Sequence, residues 1–218
     1  MRRATSEIAT GSLFGIALNY QGLLQSRLAE FNQPPYQQPP LKPVLFIKTP
    51  NTRNGDGQPV VMPSDERLQP GPALGVVIGK DASRVSAEQA FEYVAGYVIV
   101  NEFSLPEDSY YRPAVKAKCR DGFCALSSEV VAVSEVADPH NLTLSLLVNG
   151  QLRQENTTAN FVRSIPQLIA ELSEFMTLHA GDVLITGTPE GRVDVQPGDQ
   201  VVVEISGLGR LTNTVVAE

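Results

Sequence analysis

The stretch Gly71-Pro-Ala-Leu-Gly-Val-Val-Ile-Gly-Lys80 is the most informative part of this 218-residue sequence. Its apolar run, residues 74–78, has the length and composition of a strand that is buried on both faces. Gly79 closes the run, as glycine commonly does where a strand gives way to a turn. The stretch therefore predicts a buried strand that ends in a turn.

Short apolar runs elsewhere in the chain predict further strands. They cover residues 13–18, 44–48, 97–100, 142–148, 183–186, 201–205 and 211–216. Asn149-Gly150 directly after one of these runs is typical of a two-residue hairpin. Residues 54–57 and 207–209 are rich in glycine and predict turns.

Helices are expected at only a few places. Residues 20–31 predict one helix, and Ser86 with Gln89 forms a capping box for a second. Ser164 caps the clearest helix, whose apolar residues recur at helical spacing and which is expected to end near residues 180–181. The proline-rich residues 32–41 predict a loop, either a lid or a plain surface loop. Many strands with scattered helices favour an α+β fold, and the absence of a linker predicts one domain over residues 1–218.

The composition excludes several classes of protein. Hydrophobic residues make up 42% and charged residues 19%, which is typical of a globular chain. The net charge of -7 argues against a nucleic-acid partner, which requires a basic surface. No apolar run approaches the length of a membrane span, so no membrane partner is expected. Two cysteines and no recognisable signal peptide indicate the cytoplasm.

Eight stretches in order resemble the fumarylacetoacetate hydrolase family. They are Leu18-Asn-Tyr20, Phe46-Ile-Lys48, Val76-Val-Ile-Gly-Lys80, Ala95-Gly-Tyr97 with Asn101, Lys118-Cys-Arg-Asp121, Thr186-Gly-Thr-Pro189, Pro197-Gly-Asp199 and Glu204-Ile-Ser-Gly-Leu-Gly209. The resemblance implies a β-rich mixed-sheet roll with a few flanking helices, assembled as a homodimer or as a hetero-oligomer with a sister subunit. It also implies a Mg²⁺ or Mn²⁺ site that holds 2-oxo acids, since these ions suit oxygen ligands.

The acidic metal ligands that the resemblance implies are largely missing from this sequence. Two acidic positions of the family are Gly71 and Ala73 here. Glu102 stands where the family has a third acid, so it is the single candidate metal ligand. It is either a weak ligand or a polar residue in a pocket that no longer binds metal, and in the second case the chain itself is metal-free.

The resemblance also suggests residues for substrate binding and catalysis. Lys118 and Asp121 match a family signature, in which the lysine binds a carboxylate or an enolate oxygen and the aspartate orients it; the alternative is a structural ion pair. Further cations with the same expected role are Arg112, Arg120 and, more weakly, Lys48. Gly187 and Thr188 belong to a signature loop that either lines the ligand or forms a tight turn.

The resemblance indicates an enzyme that acts on an unsaturated 2-oxo dicarboxylate. Residues 110–124 are most similar to the first half of a family member that contains two fused copies of this domain, an isomerase and decarboxylase. The chain is thus expected to be a separate subunit of that type. The alternative is a metal-deficient partner of a metal-competent sister copy. A hydrolase is disfavoured, because Leu23 stands near the place of the family's histidine.

Overall fold

The computed structural model describes residues 2–107 and 109–218, and most of its regular structure is β-strand. The strands are β1 (Arg3–Ala4), β2 (Leu13–Ala17), β3 (Val44–Lys48), β4 (Arg53–Gly55), β5 (Pro59–Met62), β6 (Pro72–Ile78), β7 (Val94–Glu102), β8 (Cys124–Leu126), β9 (Glu129–Ala132), β10 (Thr143–Val148), β11 (Gln151–Thr157), β12 (Val183–Ile185), β13 (Gln200–Ile205) and β14 (Gly209–Ala217). The helices are α1 (Thr5–Ile8), α2 (Gln21–Phe31), α3 (Val115–Lys118) and α4 (Ile165–Ser173). The predicted α+β class is confirmed.

The strands form two mixed sheets. The larger has nine strands, with the path β1-β9-β7-β6-β12-β2-β3, and β8 joins β4 to β7. The smaller has five strands in the order β11-β10-β13-β14-β5. Since most neighbours in a sheet are antiparallel and few helices connect them, the topology differs from a doubly wound fold.

The strand β6 lies in the interior of the larger sheet, between β7 and β12. Every residue from Pro72 to Ile78 is buried, as the sequence predicts for the core of this strand. One face of β6, with Leu74 and Val76, packs in the main core together with residues of the smaller sheet. The opposite face, with Ala73 and Val77, packs in a second apolar cluster.

The helical predictions succeed in part. Ser164 is the N-cap of α4, as predicted, and it also forms a capping box with Gln167. The helix ends at Ser173, however, and not near residue 180, because a turn follows it. The capping box predicted for Ser86 and Gln89 is wrong: residues Ala87–Tyr93 form a 3-10 helix, and the Ser86 hydroxyl bonds to Glu88 instead of capping the helix.

Three other short segments are 3-10 helices, at Pro50–Thr52, Val133–Glu135 and Thr158–Asn160. The proline-rich residues 32–41 contain no helix or strand, as predicted. Among the described helices, none combines the length and apolar composition that a membrane crossing requires.

Candidate functional site

A buried carboxylate at the end of β7 organises the candidate site. Glu102 is the last residue of that strand and is 1% exposed. The ammonium groups of Lys48 and Lys118 lie 2.7 Å and 3.0 Å from its oxygens. The Arg192 guanidinium donates a further hydrogen bond to Glu102 Oε2. Three cationic side chains therefore converge on one carboxylate.

These cations determine the protonation state of Glu102. Burial alone would raise the pKa of this carboxyl group, because water no longer stabilises its charge. The positive charges of Lys118, Lys48 and Arg192 outweigh burial and hold the pKa of Glu102 well below its ordinary value. Glu102 is therefore an anion at neutral pH and cannot act there as a general acid.

Lys48 is enclosed by protein on all sides. Its Nζ donates to the carbonyl oxygens of Phe103 at 2.7 Å, Lys118 at 2.8 Å and Phe123 at 2.9 Å, in addition to its pairing with Glu102. Burial lowers the pKa of Lys48, and the charge of Glu102 opposes that shift. With these partners the ammonium is not open to a ligand, so Lys48 connects β3 to the segments that flank the site.

Lys118 is positioned by two carboxylates. Its Nζ lies 3.0 Å from Glu102 and 2.8 Å from Glu107, and 4.5 Å from the centre of the Phe46 ring. The expected orienting residue, Asp121, is exposed and accepts a hydrogen bond from Asn51 at 2.6 Å instead. The structure therefore separates the two members of the Lys118–Asp121 signature.

The other cations near Lys118 in the sequence lie apart from it in the structure. Lys116 and Arg120 both pair with Glu66, at 2.9 Å and 3.5 Å. These two residues are four positions apart and share one side of the helical turn at α3, whereas Lys118 lies halfway between them and faces inward. Arg112 is exposed. The expected cluster of arginines around Lys118 is thus not formed.

The two family acid positions have neither a carboxylate nor space for one. A Cβ atom at Gly71 would lie 2.5 Å from the carbonyl oxygen of Glu102 and 2.8 Å from both Arg192 Nη2 and Thr188 Oγ1. Ala73 is fully buried in the second apolar cluster. The Arg192 guanidinium therefore fills the space beside position 71.

The residues present do not fit a divalent metal ion. The described part of the chain contains no group of three His, Cys, Asp or Glu side chains that could hold one. Glu102 offers a single carboxylate, and three cations already neutralise it. Magnesium and manganese prefer several oxygen ligands, and a further cation beside Glu102 would be repelled by the three that are present.

The signature loop after β12 combines structural and site-facing residues. Gly187 has φ +114°, and a Cβ there would lie 2.8 Å from the carbonyl oxygen of Ile16, so this position requires glycine for packing against β2. Asn19 fixes the same loop by donating to the carbonyl of Thr186 at 2.9 Å. Thr188 follows and lines the cavity next to Glu102.

Three cavities adjoin the segment that carries Glu107 and Tyr110. The smallest, about 30 Å³, is lined by Lys118, Thr188 and Arg192 and has room for only one or two water molecules. A cavity of about 190 Å³ opens on the side of Arg192, and one of about 400 Å³ contains Arg112. The described residues Glu107 and Tyr110 line all three cavities, whereas Lys118 lines the smallest and neither of the two larger ones.

Two residues of the site were missed by the sequence analysis. Arg192 lies three residues after the signature Thr186-Gly-Thr-Pro189. A charged residue so close to that loop was a signal from which a site residue could have been predicted. Glu107 had no such signal, because its contact with Lys118 depends on how the chain folds back between β7 and α3.

A comparison with known families matches residues 12–216 to the fumarylacetoacetate hydrolase C-terminal domain. The bifunctional isomerase/decarboxylase of 4-hydroxyphenylacetate degradation from Escherichia coli is 47% identical over 211 residues, which are 95% of this chain and 47% of that protein. The chain thus spans about half the length of the curated relatives that it matches at 45–47% identity.

Solved structures show the same fold. The 5-carboxymethyl-2-hydroxymuconate delta-isomerase of Mycobacterium smegmatis is 31% identical, with a TM-score of 0.83 over 97% of this chain and 80% of that one. Maleylpyruvate hydrolase of Sphingobium sp. SYK-6, in complex with manganese(II) and pyruvate, is 28% identical, with a TM-score of 0.78 over 96% of this chain and 71% of that one. On the sequence match and the fold together, the chain belongs to the fumarylacetoacetate hydrolase family.

Proposed function

We propose that this chain is a subunit of an isomerase/decarboxylase that acts on unsaturated 2-oxo dicarboxylates in 4-hydroxyphenylacetate breakdown. The similarity to the Escherichia coli isomerase/decarboxylase over nearly the whole chain supports the reaction class. The observation that carries the proposal is the buried ammonium of Lys118 at the wall of a polar cavity. A buried cation of this kind suits a carboxylate or an enolate oxygen.

The two reactions share one intermediate. In 5-carboxymethyl-2-oxohex-3-ene-1,6-dioate, the bond between C5 and its carboxylate breaks and carbon dioxide leaves. The electron pair moves through the conjugated 3-ene to the 2-oxo oxygen, and the product is a dienolate. Protonation of its oxygen gives 2-hydroxyhepta-2,4-diene-1,7-dioate. Protonation at C5, the carbon that lost its carboxylate, gives instead the isomer, 2-oxohept-3-ene-1,7-dioate.

Lys118 is the residue that we propose to stabilise the dienolate oxygen by its charge. The Thr188 hydroxyl, which lines the same cavity, is the proposed hydrogen-bond donor, and Gly187 positions it. Arg112 lines the neighbouring cavity and is proposed to bind the far carboxylate. Lys48 supports the site through its ion pair with Glu102. Asp121 and Arg120 lie outside the cavities of the site, and for them only a supporting role is proposed.

A second candidate function is that of a non-catalytic partner for a metal-competent sister copy. The observation that favours it is the absence of acids at Gly71 and Ala73, where the resemblance implies metal ligands. In that case the chain contributes an interface, and the sister copy carries the reaction.

The decisive experiment is a spectrophotometric assay of both reactions. The purified chain is assayed alone and after addition of a sister copy that has all three acids. Turnover by the chain alone, abolished in Lys118→Ala, supports the isomerase/decarboxylase proposal. Turnover that requires the sister copy and is unaffected by Lys118→Ala supports the partner role and contradicts the first proposal.

We also propose that the chain forms a homodimer or a hetero-oligomer with such a sister copy. The strand β3 lies at an edge of the larger sheet, and Ile47 on it is 49% exposed. Leu41, Tyr111 and Val115 are apolar and more than half exposed. Exposed apolar residues with an open strand edge are typical of a surface that another chain covers. A monomer in light scattering, alone and after mixing, would argue against assembly.

A further inference from the structure

Arg192 lies between the end of β7 and the start of β6, where it contacts both segments. Its Nη1 donates to the carbonyl oxygens of Glu102 at 3.0 Å and Gln69 at 3.3 Å, and its Nη2 donates to the Glu102 carboxylate. The same Nη2 is 2.8 Å from the position of a Cβ at Gly71. These contacts therefore fix the guanidinium between Glu102 and Gly71, a position at which the family resemblance implies an acidic residue.

The described side chains that pair at this place leave a positive surplus. Lys48, Lys118 and Arg192 contribute three positive charges, and Glu102 and Glu107 contribute two negative charges. Because the cluster is almost entirely out of water, this surplus is poorly screened and favours an additional anion.

Arg192 is the most exposed cation of the cluster. Its side chain is 19% exposed, whereas those of Lys48, Lys118 and Glu102 are at most 3% exposed. It lines the small cavity beside Lys118 and also the cavity of about 190 Å³. An anion that enters from the larger cavity therefore meets Arg192 before it meets Lys118.

We propose that the Arg192 guanidinium takes the place of the divalent cation at this site, so that the chain binds the carboxylate of a 2-oxo acid without metal. An arginine side chain suits this role, since its planar group donates two parallel hydrogen bonds to a carboxylate. The substrate class rests on the proposed function, whereas the metal independence rests on the contacts of Arg192, Gly71 and Glu102.

Calorimetry with 2-oxoglutarate as the probe tests this inference. The protein is stripped with EDTA, and the titration is performed in EDTA and, separately, in excess MnCl₂. We expect binding in EDTA with an affinity that manganese changes by less than about twofold. Binding only in manganese, or binding in neither buffer, overturns the inference.

Variants of Arg192 give a second measurement. Arg192→Gln is expected to weaken 2-oxoglutarate binding roughly tenfold or more, the usual cost of losing charged hydrogen bonds. Arg192→Lys keeps the charge and should retain part of the affinity. Arg210→Gln removes an exposed arginine that is 4.0 Å from Glu204 and serves as the control. Unchanged affinity in folded Arg192→Gln overturns the role of Arg192.

The outcomes separate this inference from the proposed function. Metal-independent binding without turnover of either dienolate reaction would overturn the proposed function and leave the inference intact. Turnover that requires manganese, together with manganese-dependent binding, would overturn the inference and leave the proposed function intact. The wild-type titrations need no substitution, so an unfolded variant does not prevent a decision.

Discussion

Glu102 illustrates how the neighbours of a side chain determine its role. Its place at the end of β7 is where the family resemblance implies a metal-binding acid. With Gly71 and Ala73 in place of the other acids, neither of those two positions places a second carboxylate beside Glu102. Arg192 and two lysines instead use Glu102 as their common counter-ion. The same carboxylate thus organises a cluster of cations in place of a metal.

Replacement of Lys118 tests its role as the anion-binding cation. Lys118→Ala is expected to weaken the binding of a 2-oxo dicarboxylate about tenfold or more, because a charged hydrogen bond is lost. Calorimetry measures the affinity, and circular dichroism verifies the fold. Lys116→Ala is the matched control, since Lys116 is two residues away but lies on the outer side and pairs with Glu66. Equal affinities for the two variants would argue against the role.

Glu107 is expected to compete with the ligand for Lys118. Its carboxylate, 2.8 Å from that ammonium, stands where a ligand carboxylate would bind. Glu107→Gln should therefore strengthen dicarboxylate binding by roughly two- to fivefold, the range of a partly exposed ion pair. Glu66→Gln, which breaks an outer pair with Lys116, should leave affinity unchanged. Weaker binding by Glu107→Gln would show that Glu107 supports the ligand instead.

The individual site residues were predictable where they belong to a short local pattern. Thr188 and Gly187 lie beside the site because the signature loop follows a core strand. Arg112 and Arg120 were expected near Lys118 because the sequence places them close together. The helical turn at α3 directs Arg120 to the outer side, where it pairs with Glu66, whereas Arg112 precedes that turn and lines a separate cavity. Such a short turn gives too little periodicity to be recognised from the sequence.

At the scale of single elements, the sequence predicted those features that depend only on residues close together in the chain. The start of α4 was recognised because Ser164 stands directly before a run of apolar residues at helical spacing. The hairpin at Asn149-Gly150 was recognised because this dipeptide favours a turn in which both residues have positive φ. In the structure the two φ angles are 52° and 77°. The strand β11 was missed because its residues are mostly polar and exposed, and only its pairing with β10 makes it a strand.

The start of α4 is expected to be sensitive to pH through His140. The backbone N–H of Ile165 donates to His140 Nε2 at 3.0 Å, which requires that nitrogen to be unprotonated. Burial lowers the pKa of His140 below its ordinary value of 6.5, and the charge of Asp138 opposes this shift. In the window below pH 6.5, the unfolded chain therefore binds the proton more readily than the folded protein does.

The free energy of unfolding should thus rise with pH in that window. The contribution of His140 is complete above about pH 6.5 and is lost as the pH falls toward the lower pKa of the folded state. In His140→Gln, urea unfolding between pH 5 and 7 should show a smaller pH dependence than in the wild type. His179→Gln serves as the control. An unchanged pH dependence in His140→Gln would contradict this account.

At the scale of the whole molecule, the arrangement of strands was beyond the sequence patterns. In the larger sheet, β12 is paired with both β6 and β2, although more than one hundred residues separate it from either in the chain. Pairings of this kind depend on the packing of the complete core and leave no local signal. The family resemblance implied a β-rich roll, and the two sheets agree with it.

We propose that the two sheets form one cooperative domain over residues 1–218. One continuous core cluster contains Leu74 and Val76 of the larger sheet and Leu144 and Val203 of the smaller sheet. Far-ultraviolet circular dichroism and near-ultraviolet tyrosine signals should therefore report a single, coincident unfolding transition. Two separate transitions would indicate independent domains.

One arginine and two lysines surround the carboxylate at which the family resemblance implies a metal centre. Crystals soaked in MnCl₂ reveal any bound manganese by anomalous diffraction at the manganese absorption edge. We expect no anomalous peak within coordination distance of the Glu102 carboxylate, with the Arg192 guanidinium in contact with that carboxylate. A manganese peak bound to Glu102, with Arg192 displaced, would contradict this expectation.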